Sequence, residues 1–442
     1  MALAPVRSST HRVTVKLAGS LISASAIRYD PESYQALLIE ARKKFGSALC
    51  MCHGAALHLV IRERNSKLFL ACWPDQAQAH ALDCPFFSAA RDGGVAGYQE
   101  GAITDNGSST TLLLHHPLVQ QKPSRDLFVG QVKAPRASGP SRLHIWGLLH
   151  HLWESGGLNR WNPGWHRDWG LVRSMLRRVA QGTLVDESPL LQSLYIPPVW
   201  VPKRKDDISA NWADFKRPLL RQNRASDIVA SGFVIGVVRK LEPTDYGFAI
   251  RLQHHSALFY MDKATADRLA SYSRRGWSAV RMMSSDGKPG DDAVVVIAMR
   301  IQASASNKLV IVEGALMRVS HKYIPVASSY EERMAELLID TDRRFIKPLH
   351  YDQHSMDLAH FVLTDCASVE GGQTSPCKVA LFVYGAAIDP MHQIRLEISD
   401  RELALRMGCG FWMWNAASNP NIPALPLAFR QEDQPLLLTP NS

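Results

Sequence analysis

The sequence predicts an α+β protein made of several domains. Its 442 residues are enough for about three domains. Apolar residues recur at helical spacing in some stretches and at every second position in others, and four of the seven cysteines lie between Cys50 and Cys84. The predicted parts are an N-terminal zinc-stapled module (1–100), a basic tryptophan-rich helical domain (142–225), a small β-rich domain (226–325) and a C-terminal αβββαβ domain (326–442).

The stretch from Cys50 to Cys84 contains the donors of a zinc site. Zinc prefers four thiolate or imidazole donors at the corners of a tetrahedron. Cys50 and Cys52 form a tight pair, and two strand-like runs after them predict a hairpin that brings the chain back to a second pair. We predict zinc bound by Cys50, Cys52, His80 and Cys84. Four protein donors leave no open position for water, so the predicted role is structural.

Two alternatives to this donor set stay open. His53 follows Cys52 directly and is the substitute if one of the four donors fails. The plainer interpretation is that Cys72 and Cys84 are core thiols and the histidines are incidental, because Cys-x-Cys with His-x3-Cys is a looser signature than paired Cys-x2-Cys knuckles.

The net charge of +9 is concentrated in one part of the chain. Between Lys122 and Arg224 there are 17 Lys and Arg against 8 Asp and Glu, and the remaining residues are balanced. Such an excess permits binding to nucleic acid. Residues 88–141, rich in Gly, Ser and Pro, are predicted to be a long connector, part of which is disordered or laid over the surface.

Composition also bears on the compartment. No run approaches the roughly 20 apolar residues of a membrane span, and the N-terminus has no apolar core of signal-peptide type. The seven cysteines show no disulfide-framework spacing, which is typical of a reducing cytoplasm. We therefore predict a cytoplasmic protein without a membrane partner.

Residues 142–225 combine positive charge with helical periodicity. One helix is predicted from about 143 to Gly156 and a second over 171–180, and a short glycine-containing turn between them is typical of a helix-turn-helix-like unit. The alternative is an ordinary helical domain whose arginines face solvent and whose tryptophans lie in the core. The side chains predicted to contact nucleic acid, DNA rather than RNA, are Arg167, Arg173, Arg177, Arg178, Lys203, Arg204 and Lys205.

Period-two and buried-strand patterns fill residues 226–325, with one helix predicted around 263–273. No catalytic constellation is present in this stretch, and His254-His255 is predicted to be an exposed strand end. The final 117 residues then read as a helix, three strands, a second helix and a last strand.

This last order, with Ser328-x-x-Glu331 at the first helix, resembles the PD-(D/E)xK restriction-endonuclease-like fold. The resemblance implies carboxylates that hold Mg²⁺ to activate water. The sequence departs from that pattern: Ala359-His360 stands at the Pro-Asp position, Phe382 at the acidic position and Tyr384 at the lysine position.

A buried Phe cannot coordinate magnesium, so we predict a degenerate, catalytically silent nuclease fold and assign no catalytic residue. Asp357 and Asp365 lie close in sequence, but we expect a loop cap and a strand-end residue rather than replacement ligands.

The whole chain is similar to a bacterial family of unknown function carried on integrative and conjugative elements and plasmids. The stretches that carry this resemblance are 50–53, 80–87, 157–165 and 345–349. It implies a mobile-element context, with protein partners from the same element.

Three functional hypotheses follow. The first is a zinc-containing, nucleic-acid-associated protein with a silent nuclease-like domain. The second is an active Mg²⁺-dependent nuclease with relocated ligands, and the third is a protein-interaction scaffold. We favour the first, because the charge and the fold resemblance both point toward nucleic acid.

Overall fold

The structure, a computed structural model, describes most but not all of the chain. The residues described are 13–29, 31–52, 56–64, 67–72, 80, 84–86, 101–105, 109–116, 119–121, 142–185, 187–225, 228–285, 294–351, 358–370, 373–385 and 390–429. Within them the protein is a mixed α/β structure with several sheets, as the sequence predicts. No helix in these ranges is both long and apolar enough to cross a bilayer.

The front of the chain is an antiparallel sheet with two helices packed against it. Its strands lie in the order β2-β1-β3-β4-β5. Alternating residues of the strands and the inner side of the second helix form a core around Val15, Leu38, Leu59 and Leu70. The elements are β1 (Thr14–Leu17), β2 (Ser20–Ser23), α1 (Ala24–Tyr29), α2 (Gln35–Lys44), β3 (Ser47–Cys50), β4 (Leu57–Arg64) and β5 (Lys67–Cys72).

Short strands and three helices make up the next part. The stretch predicted to be a connector contains three of these strands, and two of them join a four-stranded sheet of order β11-β10-β7-β6. The elements are β6 (Ile103–Asp105), β7 (Thr110–Leu112), β8 (Val119–Gln121), α3 (Ile145–Ser155), β9 (Arg160–Trp161), α4 (Trp169–Gly182), β10 (Thr183–Val185), β11 (Ser188–Pro189), β12 (Leu194–Tyr195), α5 (Lys205–Ala225) and β13 (Ile228–Ala230).

The expected helix-turn-helix is wrong. The connection between α3 and α4, residues 156–168, is too long for a tight turn, and it contains β9. That strand pairs with a strand nearly two hundred residues later, Phe345 opposite Trp161. Both helices contribute buried residues to one core, among them Leu149, Trp153, Val172 and Leu176.

Five strands further along close on one another as a barrel. Their order is β14-β15-β16-β18-β17, β17 pairs back to β14, and the short strand β12 adds a sixth strand beside β14. Two helices, rather than the one predicted, lie between β16 and β17 along the chain. The elements are β14 (Gly232–Thr244), β15 (Gly247–Leu252), β16 (Leu258–Asp262), α6 (Lys263–Tyr272), α7 (Arg274–Ser285), β17 (Val294–Ala303) and β18 (Leu309–Val319).

The rear of the chain forms a five-stranded sheet of order β22-β21-β20-β19-β9. Strands β21 and β22 are parallel, and the other pairs are antiparallel. Met334, Leu338, Phe361 and Trp414 lie in its core. The elements are α8 (Ser329–Asp340), β19 (Phe345–Ile346), β20 (Phe361–Glu370), β21 (Gln373–Tyr384), α9 (Pro390–Arg406) and β22 (Gly410–Asn415).

Neighbouring segments share cores. Leu148 and Val172, on α3 and α4, belong to the same buried cluster as Ile235 and Val296 on the barrel strands. A common core thus joins the segments on the two sides of the predicted domain boundary at 225/226. The domain boundaries stay predictions.

Candidate metal centre

The front sheet fixes the first pair of donors. Cys50 is the last residue of β3 and lies between Val15 on β1 and Leu57 on β4. The next backbone N–H, that of Met51, donates to the carbonyl of Thr14 at 2.8 Å. This bond holds the chain against β1 for one residue beyond the strand, so that Cys52 follows in a defined position.

The structure brings all four predicted donors together. The Sγ atoms of Cys50 and Cys84 are 3.5 Å apart. The Nδ1 atom of His80 lies 3.4 Å from Sγ of Cys52 and 3.5 Å from Sγ of Cys84. All four donor atoms lie within 4.8 Å of one another, and Cys50, His80 and Cys84 are buried. This group, called the front cluster below, can hold a metal ion.

These distances fit the dimensions of a tetrahedral zinc site. Bond lengths of about 2.3 Å for zinc–sulfur and about 2.0 Å for zinc–nitrogen give tetrahedron edges of about 3.5 to 3.8 Å. The three donor–donor distances above are 3.4 to 3.5 Å, close to those edges. The donor set, three sulfurs and one imidazole, also suits zinc.

The acid–base properties of the front cluster reflect the crowding of its donors. Burial disfavours the charged form of His80, but hydrogen bonds to the thiols of Cys50, Cys52 and Cys72 outweigh it and raise the pKa of His80 to about 11. The neighbouring thiols of Cys50 and Cys52, and then burial, raise the pKa of Cys84. Thiols and imidazoles must lose protons to bind a metal, so metal binding by this cluster releases protons.

Three hydrogen bonds to backbone groups support the cluster from outside. The N–H of Phe86 donates to Sγ of Cys84 at 3.4 Å, a bond that favours the thiolate. The thiol of Cys72 donates to the carbonyl of Phe86 at 2.9 Å, so Cys72 helps to place the loop that carries Cys84. The guanidinium of Arg160, on β9, donates to the carbonyl of Cys84. His53, the substitute donor, lies outside the described residues.

Arg167, one of the seven predicted nucleic-acid contacts, is buried. Its guanidinium donates to the carbonyls of Leu158 and Arg160, both at 2.7 Å, and it lies over the rings of Trp161 and Trp165. Only 6% of the surface of Arg167 is exposed, and its hydrogen bonds stabilise the connection between α3 and α4. The prediction that Arg167 contacts nucleic acid is therefore wrong.

The other six lie at least partly at the surface. Lys203, Arg204 and Lys205 are exposed, whereas the three arginines of α4 are half-buried. The Nε of Arg173 donates to the carbonyl of Ile196 at 2.9 Å. Burial, followed by the nearby charges of Arg177 and Arg204, lowers the pKa of Arg173. The charges of Arg177 and Arg204 therefore lie close enough to Arg173 to disfavour its charged form.

The rear sheet contains a second buried group of ionisable side chains. Glu331, on α8, has its Oε2 3.0 Å from Nζ of Lys347 and its Oε1 3.7 Å from Nε2 of His360. Burial opposes ionisation of Glu331, but Lys347 and His360 outweigh it and hold its pKa at about 2. These three residues are called the rear cluster below.

His360 is the neutral member of the rear cluster. Burial lowers its pKa to about 4 even though Glu331 faces it. Its Nδ1 accepts a hydrogen bond from the backbone N–H of Val383 at 3.2 Å, so the neutral ring carries its proton on Nε2, toward Glu331.

The Ser-x-x-Glu pattern at α8 has a local structural role. The hydroxyl of Ser328 accepts from the N–H of Glu331 at 3.1 Å, and Oε2 of Glu331 accepts from the N–H of Ala327 at 2.8 Å. This arrangement is close to a capping box, in which a serine and a glutamate satisfy N–H groups at a helix start. The pattern is therefore explained by the helix N-terminus alone.

The carboxylates considered as replacement metal ligands are engaged or not described. Asp365 lies within β20 rather than at its end, and accepts from Nε and Nη2 of Arg343 and from the N–H of Arg344. Phe382 is buried as predicted, and the hydroxyl of Tyr384 donates to Asp400. Asp357 lies outside the described residues.

Sequence reasoning missed two buried cations: Lys347, which neutralises Glu331, and Arg343, which neutralises Asp365. Lys347 stands in Phe345-Ile-Lys-Pro-Leu, where a lysine lies among apolar residues next to a proline. A lysine in such a setting is buried only if it is paired, and this signal was present in the sequence.

The comparisons with known proteins give a family but no activity. A search of curated proteins and a search of solved structures found no match. Residues 22–417 match the family described as "Protein of unknown function (DUF1173)". This match covers nearly the whole chain, front cluster and rear sheet included, and the chain belongs to the DUF1173 family.

Proposed function

We propose that this protein is a zinc-stabilised, nucleic-acid-associated protein of a bacterial mobile element, acting in the cytoplasm, with a nuclease-like rear domain that does not cut. The observation that carries the proposal is the front cluster. Four soft donors meet at tetrahedral spacing in a buried position, and four protein donors leave no position for substrate or water. The ion is thus a structural zinc that holds β3 to the loop around Cys84.

Charge supports nucleic acid as the partner. The basic excess between Lys122 and Arg224 includes the exposed run Lys203-Arg204-Lys205 and the half-buried arginines Arg173, Arg177 and Arg178 of α4. Lysine and arginine displace counterions from phosphates and so provide affinity that falls with salt. No disulfide joins any of the seven cysteines, which suits a reducing cytoplasm.

The rear sheet supports a silent nuclease fold. Its helix-strand-strand-strand-helix-strand order, with the last strand parallel to the third, is the order that motivated the resemblance. At the positions where such folds hold Mg²⁺, this chain has His360, Phe382 and Tyr384. Glu331 already has Lys347 as its counter-ion at 3.0 Å, so a second cation is not needed there.

The experiment that tests this proposal uses the purified full-length chain. We expect about one zinc per chain by elemental analysis, and binding to duplex DNA that weakens steeply between low and moderate salt. The paired substitution Arg177→Glu with Lys203→Glu should weaken binding, whereas Lys43→Glu, on the exposed side of α2, should not.

Three results would overturn the proposal in different ways. A protein without metal removes the zinc role, and a protein that binds no nucleic acid even at low salt favours a scaffold for partner proteins. Mg²⁺-dependent cleavage that is lost in Glu331→Ala or Asp365→Ala shows an active nuclease.

A further inference from the structure

The barrel has the connectivity of an OB fold. Its first strand, β14, pairs with β15 through one half and with β17 through the other, and a bulge between Val238 and Lys240 separates the two halves. The third and fifth strands, β16 and β18, pair in parallel and close the barrel. Helices α6 and α7 lie between the third and fourth strands. Five-stranded barrels of this kind bind oligonucleotides or oligosaccharides on the face of strands two and three.

The rest of the protein covers the other side of this barrel. Outward residues of β14, β17 and β18, such as Phe233, Val296 and Met317, share a core with α3 and α4. That core includes no residue from β15 or β16. On the outward face of these two strands Arg251, Leu258 and Tyr260 are partly exposed and Asp262 is exposed, whereas the small side chain of Ala249, opposite Tyr260, is buried. The side left accessible is thus the side of strands two and three.

The accessible side combines an aromatic ring with positive charge. Tyr260 lies on β16, and Nζ of Lys308, from the loop between β17 and β18, is 5.3 Å from the centre of its ring. Arg251 lies on the neighbouring strand, and Lys240 is opposite it on β14. We call Lys240, Arg251, Tyr260 and Lys308 the barrel face. Its one close acidic neighbour among the described ion pairs is Glu242, 2.8 Å from Arg251 and 3.5 Å from Lys240.

Aromatic residues also lie at the start of strand β15. Tyr246, at the hairpin between β14 and β15, is 86% exposed. Phe248 packs edge-on against Trp277 of α7, with ring centres 5.5 Å apart. Trp277 in turn lines a shallow surface hollow with Arg274, Ser278, Arg281 and Met282. These residues add rings and guanidinium groups near the start of β15 and are not part of the barrel face.

We propose that the barrel face binds a single strand of nucleic acid, an inference that rests on the proposed function and assigns it a surface. The phenol ring of Tyr260 stacks on a base, and Lys308, Arg251 and Lys240 contact the phosphates beside it. A ring lying among cations on an open sheet stacks most readily on a base of a single strand, because the stacking of successive base pairs covers the base faces within a duplex. This is what favours a single strand over duplex DNA.

The test measures binding of the zinc-loaded full-length protein to a labelled oligo(dT) strand of about 20 nucleotides, longer than the roughly 4 to 16 that one such barrel covers. A matching oligo(rU) strand distinguishes RNA from DNA, and a duplex of the same length is the third ligand. Tyr260→Leu, which keeps an apolar side chain, and Lys308→Glu should each weaken single-strand binding about tenfold. Tyr260→Phe keeps the ring and should bind as the wild type does.

Lys43→Glu is the matched control, because it reverses one exposed lysine on α2 and should change single-strand binding less than about twofold. Thermal unfolding of every variant establishes that each is folded. If the wild type binds nucleic acid and both Tyr260→Leu and Lys308→Glu bind it with wild-type affinity, the barrel face is not the binding surface. The proposed function is then unaffected. A wild type that binds none of the three ligands overturns both.

Discussion

The front and rear clusters are both buried groups of ionisable side chains, but they reach a stable charge state by different routes. In the rear cluster the carboxylate of Glu331 meets the ammonium of Lys347 at 3.0 Å, so the chain supplies both charges. In the front cluster three thiols and an imidazole point at one another, and they become strong donors only when they lose protons to a cation. Burial of acidic side chains alone therefore does not indicate a metal site. Whether such a site is present depends on the group that faces them, a cation in the rear cluster and further donors in the front cluster.

The largest expected effect separates the two clusters by metal content. Cys50→Ser should reduce bound zinc from about one ion per chain to near zero and unfold the front sheet, because structural zinc contributes roughly 10 to 16 kcal/mol of apparent binding free energy in small zinc modules. Elemental analysis and limited proteolysis check this. Cys377→Ser, in the rear sheet, is the matched control and should keep its zinc.

Breaking the rear ion pair should destabilise the protein by several kcal/mol without changing its zinc content. Lys347→Met leaves Glu331 buried without its closest cation, which costs about 3 to 5 kcal/mol. The double variant Lys347→Met with Glu331→Gln removes both charges and should recover most of that loss. Denaturant unfolding measures both variants, and equal stabilities for the single and double variants would contradict the assigned pairing.

The rear cluster should also make stability depend on pH. His360 has a folded pKa of about 4, below its usual 6.5, so its neutral form is favoured in the folded state. Its stabilising contribution is complete above pH 6.5 and is lost as the pH falls toward 4, about 2 kcal/mol by pH 5.

Unfolding of the wild type at pH 7.5 and pH 5, compared with His360→Gln, measures this contribution. The variant should lose less stability on acidification. Glu331, with its pKa of about 2, adds a further loss in the same direction only below about pH 4.5.

The smallest expected effect concerns the cap that positions Glu331. Ser328→Ala removes the side-chain acceptor for the N–H of Glu331 and should cost about 1 kcal/mol. Ser329→Ala, one residue later on the exposed side, should have little effect on the free energy of unfolding. A Ser328→Ala variant as stable as Ser329→Ala would show that the Ser328 hydroxyl does not stabilise the start of α8.

Local patterns in the sequence predicted local structure well. Cys50 and Cys52 are two residues apart, His80 and Cys84 are four apart, and the strands between the pairs form a tight hairpin, so their convergence follows from short-range rules. The order of helices and strands after Ser328 also follows from periodicity, because each element has its own pattern.

Features that depend on distant residues were not predictable in the same way. Closure of the barrel needs Gly232 opposite Ile301, and nothing in either strand alone specifies that partner. Arg167 carries a positive charge in a basic segment, as a phosphate contact would, but the carbonyls and tryptophans around it place it in the core. Lys347 is sixteen residues beyond Glu331, and only the folded sheet shows that they meet.

Strand β9 has a consequence for the protein as a whole. Arg160 pairs with Ile346 at the edge of the rear sheet, while its guanidinium reaches the carbonyl of Cys84. The carbonyl of the adjacent Asn159 also accepts from the backbone N–H of Lys347 at 2.7 Å. A two-residue strand thus joins the loop that carries Cys84 to the rear sheet, so that a loss of order at the front cluster would also disturb the rear half of the molecule.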